Sequence, residues 1–560
     1  PPADLSVTAS PTNAVRAYTP GVSVGRPAIT AMVPIATVSG HTTARLSGSV
    51  AANDVTVSAT GRQQASAQVD VIGVAGAAFN ASVAIAVVTD GAEVAARVAG
   101  PASITATGAV LVSATQPGRN EAIALVNSIQ VSMAFSGAVV YAQATLGSAL
   151  IAALDGDVVS STSVLVTANG QNFAQAKVLL VAGSLGVGIG VNILSATITG
   201  AADVAATSAD ANNDQLISSS GTVAFSATSG NTAEVHTDLA GGGLLGGAAV
   251  SVPTATVSGA TTASVEGDVT GNAGASVQAT SANRATSEVA LVAIGGIAGA
   301  AVNVSTAEIT AAATTTAEVK AGSVVSAPGD PVTVQATSTN RATSSTLAVG
   351  AGIGAAVAVQ ITTAEVAGAT TARFDGDILS TPTKTASLFV QAQAGNQAVA
   401  DTKVLTISAG LSGTGVSSQA IVSGETLAVL GSTASVNVSG AVTVKALLSS
   451  FGGEQNLARS TLEGFALGGI AAGIVVIEAT VSGSVRALLN GAITGSGSVT
   501  IEADATMHAI ADSLFVAVGL GTLTGIATTA TVSADTVAGG DDAGSVAAAG
   551  GLFRVTADSA

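Results

Sequence analysis

Residues that could carry out chemistry are few in this chain, and their spacing defines no catalytic site. The three histidines, His41, His236 and His508, stand far apart and fall at different phases of the sequence. Serine is abundant, but no Gly-x-Ser-x-Gly elbow stands in a strand-to-helix context, so no Ser-His-Asp arrangement can be assigned. The sequence therefore predicts no catalytic residues, no bound cofactor and a protein that is not an enzyme.

One acidic loop is a candidate for calcium. Asp210, Asn212 and Asp214 place oxygen ligands at alternate positions, as a calcium-binding loop does. Gln215 stands where the sharp-turn glycine of such a loop belongs, and Gly221 stands where a bidentate glutamate would lie. We therefore predict no metal site, with these three oxygen ligands as the one weak candidate for calcium and a solvated loop as the alternative.

Composition and charge exclude several classes of partner. The chain has 34 acidic and 17 basic residues, a formal net charge of -17 and no Lys/Arg cluster, which argues against nucleic acid and anionic membranes. Apolar runs such as 287–304 approach the length of a membrane-spanning helix. They are rich in Gly and β-branched residues and lack aromatic residues at their ends, so we predict no membrane insertion.

Any site would have to be positioned by secondary-structure elements, and the sequence pattern of these elements repeats regularly. The motif Val-x-Val-x-Ala, or a close variant with Ile, returns every 50 to 59 residues, counting the looser copies. Clear copies begin at Val55, Val110, Val164, Val332, Val442 and Val499. Self-similarity at a fixed period indicates stacked units that bury their apolar faces against their neighbours. The sequence predicts an all-β, elongated β-solenoid of about ten repeats of roughly 55 residues, forming a single array over residues 1–560.

Asparagine recurs four to six residues after the motif alanine, and this spacing predicts aligned corners. Gln64, Asn456 and His508 take nearby places in other repeats. Asn tolerates left-handed backbone and bonds its own turn, and amides in stacked turns can form a ladder. The alternative is that Asn is simply a common turn residue. The predicted turn ladder comprises Asn13, Asn120, Asn172, Asn231, Asn283, Asn340 and Asn396.

The size of one coil is left open by the pattern. Val and Thr favour strands and Gly marks bends, so each repeat is expected to contain three to five strands separated by tight turns. A repeat could form one wide coil, two or three coils of roughly 20 residues, or an antiparallel meander. The repeat is already under way at Val7 and still running at Val555, so we expect a fragment or a self-associating subunit of a longer filament.

The motifs also carry a resemblance. The Val-x-Val-x-Ala strand, the Asn position and a Gly-x-Gly-x-Ala-Val core, as in Gly352–Val359, resemble the repeat regions of large bacterial filamentous adhesins of the leukotoxin-type and haemagglutinin-like group. The resemblance covers nearly the whole chain and implies an extracellular or cell-surface β-solenoid that acts as a fibre, spacer or adhesin stalk. It transfers no functional residue.

The leading interpretation is a non-catalytic structural or adhesive filament that associates with itself, end to end or side by side, and contacts other cells or surfaces. Unpaired strand edges would template such assembly. One alternative is an ice- or surface-binding solenoid with rows of Thr such as Thr261-Thr262 and Thr370-Thr371. The other is a polysaccharide-processing β-helix enzyme, which would need converging carboxylates and aromatic platforms, whereas aromatics make up 2% of the chain.

Overall fold

The structure is a computed structural model that describes residues 3–209, 215–379, 383–448, 456–540, 544–546 and 551–559. Throughout these ranges the regular structure is β-strand, with no helix. The prediction of an all-β protein is confirmed.

The strands follow from a period-two pattern of small apolar residues. In the strand Ser163–Ser184, Val164, Val166 and Ala168 are buried, whereas Leu165 and Asn169 are exposed. Successive side chains of a strand point to opposite faces, so this alternation buries one face and leaves the other outside. Because the buried side chains are small, opposing walls can pack closely.

The chain passes through four kinds of strand before it returns to an equivalent position, and we call one such passage a layer. In one layer these strands are Ser163–Ser184, Val187–Ile198, Val204–Thr207 and Leu216–Ser219. The next layer begins with Val223–Gly243.

The first strands are in places divided in two, and two of them run on into the second strand. Their bounds are Leu5–Ala9, Thr12–Gly25, Val55–Thr60, Arg62–Val88, Ala109–Thr115, Asn120–Leu146, Ser163–Ser184, Val223–Gly243, Ala275–Gly295, Pro331–Gly352, Ser387–Ser408, Ala441–Leu448, Asn456–Leu467, Ser498–Ala505, Met507–Val518 and Phe553–Ser559. The separate second strands are Ala28–Met32, Ile35–Val38, Val187–Ile198, Gly246–Val257, Ala298–Ile309, Ala355–Val366, Leu411–Val422, Ile470–Val481 and Gly521–Val532.

The third and fourth strands are short. The third strands are Thr42–Leu46, Glu93–Val98, Ala149–Leu154, Val204–Thr207, Thr261–Val265, Thr315–Val319, Thr370–Phe374, Thr426–Leu430, Val485–Leu489 and Thr536–Gly539. The fourth strands are Ser49–Ala52, Ser103–Ala106, Asp157–Ser160, Leu216–Ser219, Asp268–Gly271, Val325–Ser326, Ser435–Asn437, Ala492–Gly495 and Ser545–Val546.

Strands of one kind pair in parallel from layer to layer, in a solenoid-like arrangement. Val55 lies opposite Val110, which lies opposite Val164, and the motif alanines align in the same way. The pairing therefore joins residues that are a full sequence repeat apart. Of the three possibilities for coil size, the wide coil agrees with this pairing; narrower coils of roughly 20 residues and an antiparallel meander are wrong.

Each layer contributes to two separate cores. The first half of the first strand packs with the third and fourth strands, as Val166 does with Ala206 and Ile217, and we call this part the stem. The second half packs against the second strand, as Ala176 does with Ala196, and we call this two-walled part the fin. The sequence pattern did not predict this division, because residues of one inward-facing row of a single strand serve both cores.

The two walls of the fin approach each other closely near the hairpin that joins them. A Cβ atom at Gly247 would lie 2.2 Å from the carbonyl oxygen of Ile294 and 2.7 Å from that of Gly241. At the preceding residue, Gly246, which points outward, the nearest atom would be 3.7 Å away. Glycine at position 247 is therefore required by close approach of backbone, whereas glycine at 246 is not.

Candidate functional site

The asparagines singled out by their spacing form one continuous row along the stack. Asn120 lies opposite Asn172, Asn172 opposite Asn231, and the alignment continues through Asn283 and Asn340 to Asn396. These six side chains are at most 2% exposed, whereas Asn13 in an outer layer is half-buried. We call this set the asparagine row.

Amide groups of the row bond to one another between layers. Each Nδ2 donates to the Oδ1 of the next asparagine; the distances are 3.3 Å from Asn120 to Asn172, 3.0 Å from Asn172 to Asn231, 3.0 Å from Asn231 to Asn283, 2.9 Å from Asn283 to Asn340 and 2.9 Å from Asn340 to Asn396. An amide has both a donor and an acceptor, so a stacked column can satisfy each member with its two neighbours. A polar side chain can be buried without a large loss of stability when its donors and acceptors have hydrogen-bond partners in this way.

The row lies within strands and not in turns, so the predicted turn position is wrong. Asn172, for example, lies inside the strand Ser163–Ser184. The amide of each Asn is bonded by the equivalent amide of the next layer and has no need of a local turn. The row marks the boundary between the two cores, since Ala168 belongs to the stem core and Ala174 to the fin core.

Three other residues, Gln64, Asn456 and His508, were predicted to take the place of Asn in further repeats. For Gln64 and His508 the prediction is wrong by one residue. Gln63, and not Gln64, accepts from Nδ2 of Asn13 at 3.0 Å, while Gln64 bonds Glu121. In the last complete layer Met507, and not His508, lies opposite Asn456. Asn456 itself is in the row, because its Oδ1 accepts from the backbone N–H of Asn396 at 2.8 Å. A strict offset of four residues from the motif alanine would have identified Gln63 and Met507.

Buried hydroxyl pairs accompany the asparagine row, and the sequence did not predict them. The hydroxyl of Ser229 lies 2.5 Å from that of Thr261, and Asn231 Nδ2 is 3.4 Å from the carbonyl oxygen of Gly259. Equivalent pairs join Ser281 to Thr315 and Ser338 to Thr370, each at 2.5 Å. These bonds tie the first strand to the start of the third strand of the same layer. The site is thus a polar seam that lies between the two cores and joins the first and third strands of a layer.

The threonine pairs do not make an exposed double row. Thr261 and Thr370 are fully buried in the hydroxyl pairs, so only the second residue of each pair points outward. The outward row Thr262, Thr316, Thr371 is bordered by Ala205 and by Leu427. Three adjacent threonines span only about 10 Å along the stack, which is a small surface for recognising ice.

A groove of about 340 Å³ follows the outer side of the asparagine row, and it is lined by Arg119, Phe173 and Arg284, among others. The guanidinium of Arg119 lies 3.8 Å from the centre of the Phe173 ring, and its Nε donates to Glu121 at 2.8 Å. No carboxylate is among the lining residues. The groove therefore lacks the two acidic groups that most enzymes cleaving glycosidic bonds require.

The histidines lie in three different layers. His41 and His508 are exposed, and His236 lies on the outer face of the fin, 3.1 Å from Asp238 and 3.3 Å from Glu288. Within the described ranges, no group of three or more His, Cys, Asp or Glu side chains could hold a metal ion. The calcium candidates Asp210, Asn212 and Asp214 lie outside the described residues. No helix long and apolar enough to cross a membrane occurs where the structure is described.

Like charges stack on the second strands of two neighbouring layers. Glu308 lies opposite Glu365, and partial burial together with the charge of Glu365 raises the pKa of Glu308 above its ordinary value. A raised pKa means that the folded state binds a proton more readily than the unfolded state, so this repulsion weakens stability at neutral pH and vanishes in acid. Carboxylates directly opposite each other destabilise a sheet.

We expect Glu365→Gln to raise the thermal midpoint slightly at neutral pH, by a free energy of at most about 0.5 kcal/mol because both groups are partly solvated. The gain should disappear in acid, where Glu308 is protonated and the repulsion is gone. Thermal melts of the variant and the wild type, at neutral pH and in acid, measure the difference between their midpoints. Glu463→Gln is the control, since Glu463 pairs with Lys403 at 3.1 Å and its loss should not stabilise. An equal gain in both variants, or a gain that persists in acid, would contradict the stacking argument.

No protein-family model, no curated protein and no solved structure matches this chain.

Proposed function

We propose that this chain is a β-solenoid of about ten coils that serves as a non-catalytic structural or adhesive filament, or as the stalk of an adhesin, outside a cell. The observation that carries the proposal is the parallel pairing of equivalent strands, which continues in one column from Leu5–Ala9 to Phe553–Ser559. Each member of this column lies 50 to 59 residues after the previous one, so every coil is built on the one before it.

Dimensions support a role as a building unit. Ten strand spacings of about 4.8 Å give a stack of roughly 50 Å, whereas a 22-residue first strand is about 70 Å long. The unit is therefore wider than it is high, and it becomes a long fibre only if further coils are added. The strand Leu5–Ala9 pairs on one side only, and so does Phe553–Ser559. A coil in the same register, from whichever chain, can pair at either edge.

Like copies are accordingly the first proposed partner, and other cells or surfaces are the second. The acidic, cysteine-free composition and the resemblance to filamentous adhesin repeats support a position outside the cell. The polysaccharide-processing alternative receives no support from the groove beside Phe173. Burial of Thr261 and Thr370 reduces the exposed threonine surface that an ice- or surface-binding function would use.

End-to-end stacking can be tested by disulfide trapping, because the chain has no cysteine of its own. Thr8 and Thr556 lie in the same column of outward positions at opposite ends of the stack. In a head-to-tail pair of copies they become neighbours on adjacent parallel strands, at a Cα distance of about 5 Å that suits a disulfide. We expect the double variant Thr8→Cys/Thr556→Cys to give a ladder of covalent oligomers on mild oxidation, read on a denaturing gel.

The matched control combines Thr8→Cys with Thr529→Cys, which lies on a second strand and in a different column. It should give no ladder. A double variant that remains monomeric after oxidation, or a control that forms the same ladder, would refute end-to-end stacking. Electron microscopy of the oxidised material should show filaments that lengthen with the number of linked copies.

A further inference from the structure

On one outer face of the fin, the part nearest the tip is apolar in every layer of the stack. On the second strands, the four successive outward-facing rows that pass through Val187, Ile189, Val191 and Ile193 contain no charged residue, and their polar members are Tyr141 and Ser417. The central row reads Ala31, Ala81, Val139, Val191, Val250, Val302, Val359, Gly415, Ile474 and Gly525. Several of these side chains are well exposed, Ile474 at 67% and Val139 at 41%. We call these four rows the fin face.

The area of the fin face matches that of a protein interface. Four rows cover about 26 Å along the strands, and ten layers cover about 48 Å across them, which gives roughly 1,200 Å². The largest apolar patch of an ordinary monomer is about 300 to 600 Å². A stable complex buries about 800 Å² on each partner. The fin face is thus large enough for a dimer on its own.

Inside the apolar core of the fin, one inward row is polar directly beside the apolar central row of the fin face. Asn192 and Asn303 point between the two walls and are fully buried, while their neighbours Val191 and Val302 point outward. Ser251 is buried in the same row as Asn192 and Asn303. A wall that buries amides and turns valines outward is expected where the outer surface is itself covered.

The opposite face of the fin helps to decide whether lipid or protein covers the fin face. On the first strands only the two rows nearest the tip are wholly apolar, and the third row already carries Asp238, Lys403 and Glu463. These charges lie at the depth where the fin face is still apolar. A lipid layer would meet both faces to the same depth and would therefore bury these charges at high cost. A second copy of the chain needs only one face.

The margin of the fin face also favours protein over lipid. The two rows beyond it are rich in Thr and carry Glu308, Glu365 and Glu478 but no Lys or Arg. Headgroup contacts usually use basic residues, whereas a protein interface has an apolar centre and a polar rim. An uncharged patch can also face its own copy across a two-fold axis without repulsion between like charges.

We infer that the fin face is the surface through which two copies associate side by side, sheet against sheet. This inference deepens the proposed filament function and rests on it for its biological role. Each filament would carry a continuous apolar strip along one side, and pairing of two strips would give a double fibre whose charged faces remain in water.

Sedimentation velocity of the full chain, from about 1 to 50 µM, tests the inference, since a Kd in this range is ordinary for an interface of this size. The wild type should sediment as a dimer at the higher concentration. Val302→Asp/Val359→Asp places two carboxylates at the centre of the fin face and should weaken dimerisation by at least about tenfold. Leu111→Asp/Leu165→Asp is the matched control: these outward residues lie opposite each other on neighbouring stem strands, as Val302 and Val359 do on the fin face, and the control should dimerise as the wild type does.

Far-ultraviolet circular dichroism and thermal midpoints must agree between the two variants, so that a loss of dimer is not a loss of fold. Wild type that stays monomeric at the higher concentration overturns the inference, as does equal association of both variants. A monomeric wild type that floats with phosphatidylcholine vesicles would overturn it in favour of lipid. The Thr8→Cys/Thr556→Cys ladder, run in the Val302→Asp/Val359→Asp background, separates the two proposals. In this background the ladder should still form, although the side-by-side dimer is lost. A ladder combined with a wild type that stays monomeric in sedimentation overturns only the fin-face inference, whereas wild-type dimers without a ladder overturn only end-to-end stacking.

Discussion

Replacing one amide in the middle of the asparagine row should produce the largest loss of stability at neutral pH. In Asn231→Asp the carboxylate could still accept from Nδ2 of Asn172, but it could no longer donate to Oδ1 of Asn283 or to the carbonyl oxygen of Gly259. A buried carboxylate facing two acceptor oxygens is strongly disfavoured. We expect the aspartate to remain protonated in the folded chain, with its pKa raised well above the ordinary value.

The pH dependence of this variant follows from the direction of that shift. The unfolded aspartate has a pKa of about 3.9, so near pH 7 folding must take up a proton at a free energy of about 4 kcal/mol. The loss of stability relative to wild type should therefore be about 4 kcal/mol near pH 7 and should fall by about 1.4 kcal/mol for each pH unit toward pH 4. The protonated aspartate of the folded chain can donate to Asn283, so the variant should approach the wild type below the unfolded pKa, where folding takes up no proton.

Urea unfolding of both proteins at several pH values between about 4 and 7 measures this effect. Asn169→Asp is the matched control, because Asn169 is in the same sheet, exposed and outside the asparagine row. The control should differ little from wild type at any of these pH values. If Asn231→Asp proved as stable as Asn169→Asp near neutrality, the buried amide column would not be a stabilising element of this fold.

Gly247→Val should have the second-largest effect. The new Cβ would have to occupy space 2.2 Å from the carbonyl oxygen of Ile294, a backbone atom of the next layer that cannot rotate away. Relief requires the two walls of the fin to separate, so we expect a loss of about 3 kcal/mol. The thermal midpoint and the urea midpoint should both fall.

The adjacent residue supplies the control for this prediction. Gly246→Val points outward, where the nearest atom lies 3.7 Å away, and the equivalent residue of the preceding layer is Val187. We expect a change within about 0.5 kcal/mol, since a β-branched residue suits an open strand position. Comparable losses at positions 246 and 247 would show that strand propensity, and not wall separation, decides the outcome.

The alignment of equivalent residues could be predicted from the sequence because the repeat itself is the stacking unit. Val55, Val110 and Val164 share a motif, and a chain that buries motif residues in one core must bring them into one column. The same logic placed Asn172 beside Asn231. It did not give the backbone conformation, because Asn occurs in turns and also in buried ladders, and only the neighbouring layers decide between them.

Contacts across a layer could not be predicted. The partner of Ser229 is Thr261, 32 residues further along, and nothing in the local pattern joins them. The division into stem and fin was equally hidden, since Ala168 and Ala174 have the same residue type and the same phase in one strand. Periodicity states which residues point inward, and the path of the whole coil determines which core they enter.

The pairing of equivalent strands between layers affects how such a chain can change in length. Because each strand is paired with the strand one repeat away, removing a whole repeat brings equivalent residues of the two flanking repeats opposite each other, as Val164 and Val223 are now. Duplicating a whole repeat likewise supplies equivalent partners on both sides. Deleting an odd number of residues within a strand would instead turn the inward side chains beyond the deletion outward. Unequal recombination between similar repeats therefore yields a chain whose strands can still pair from layer to layer. The height of the stack can thus evolve in steps of about 4.8 Å, the spacing of one strand.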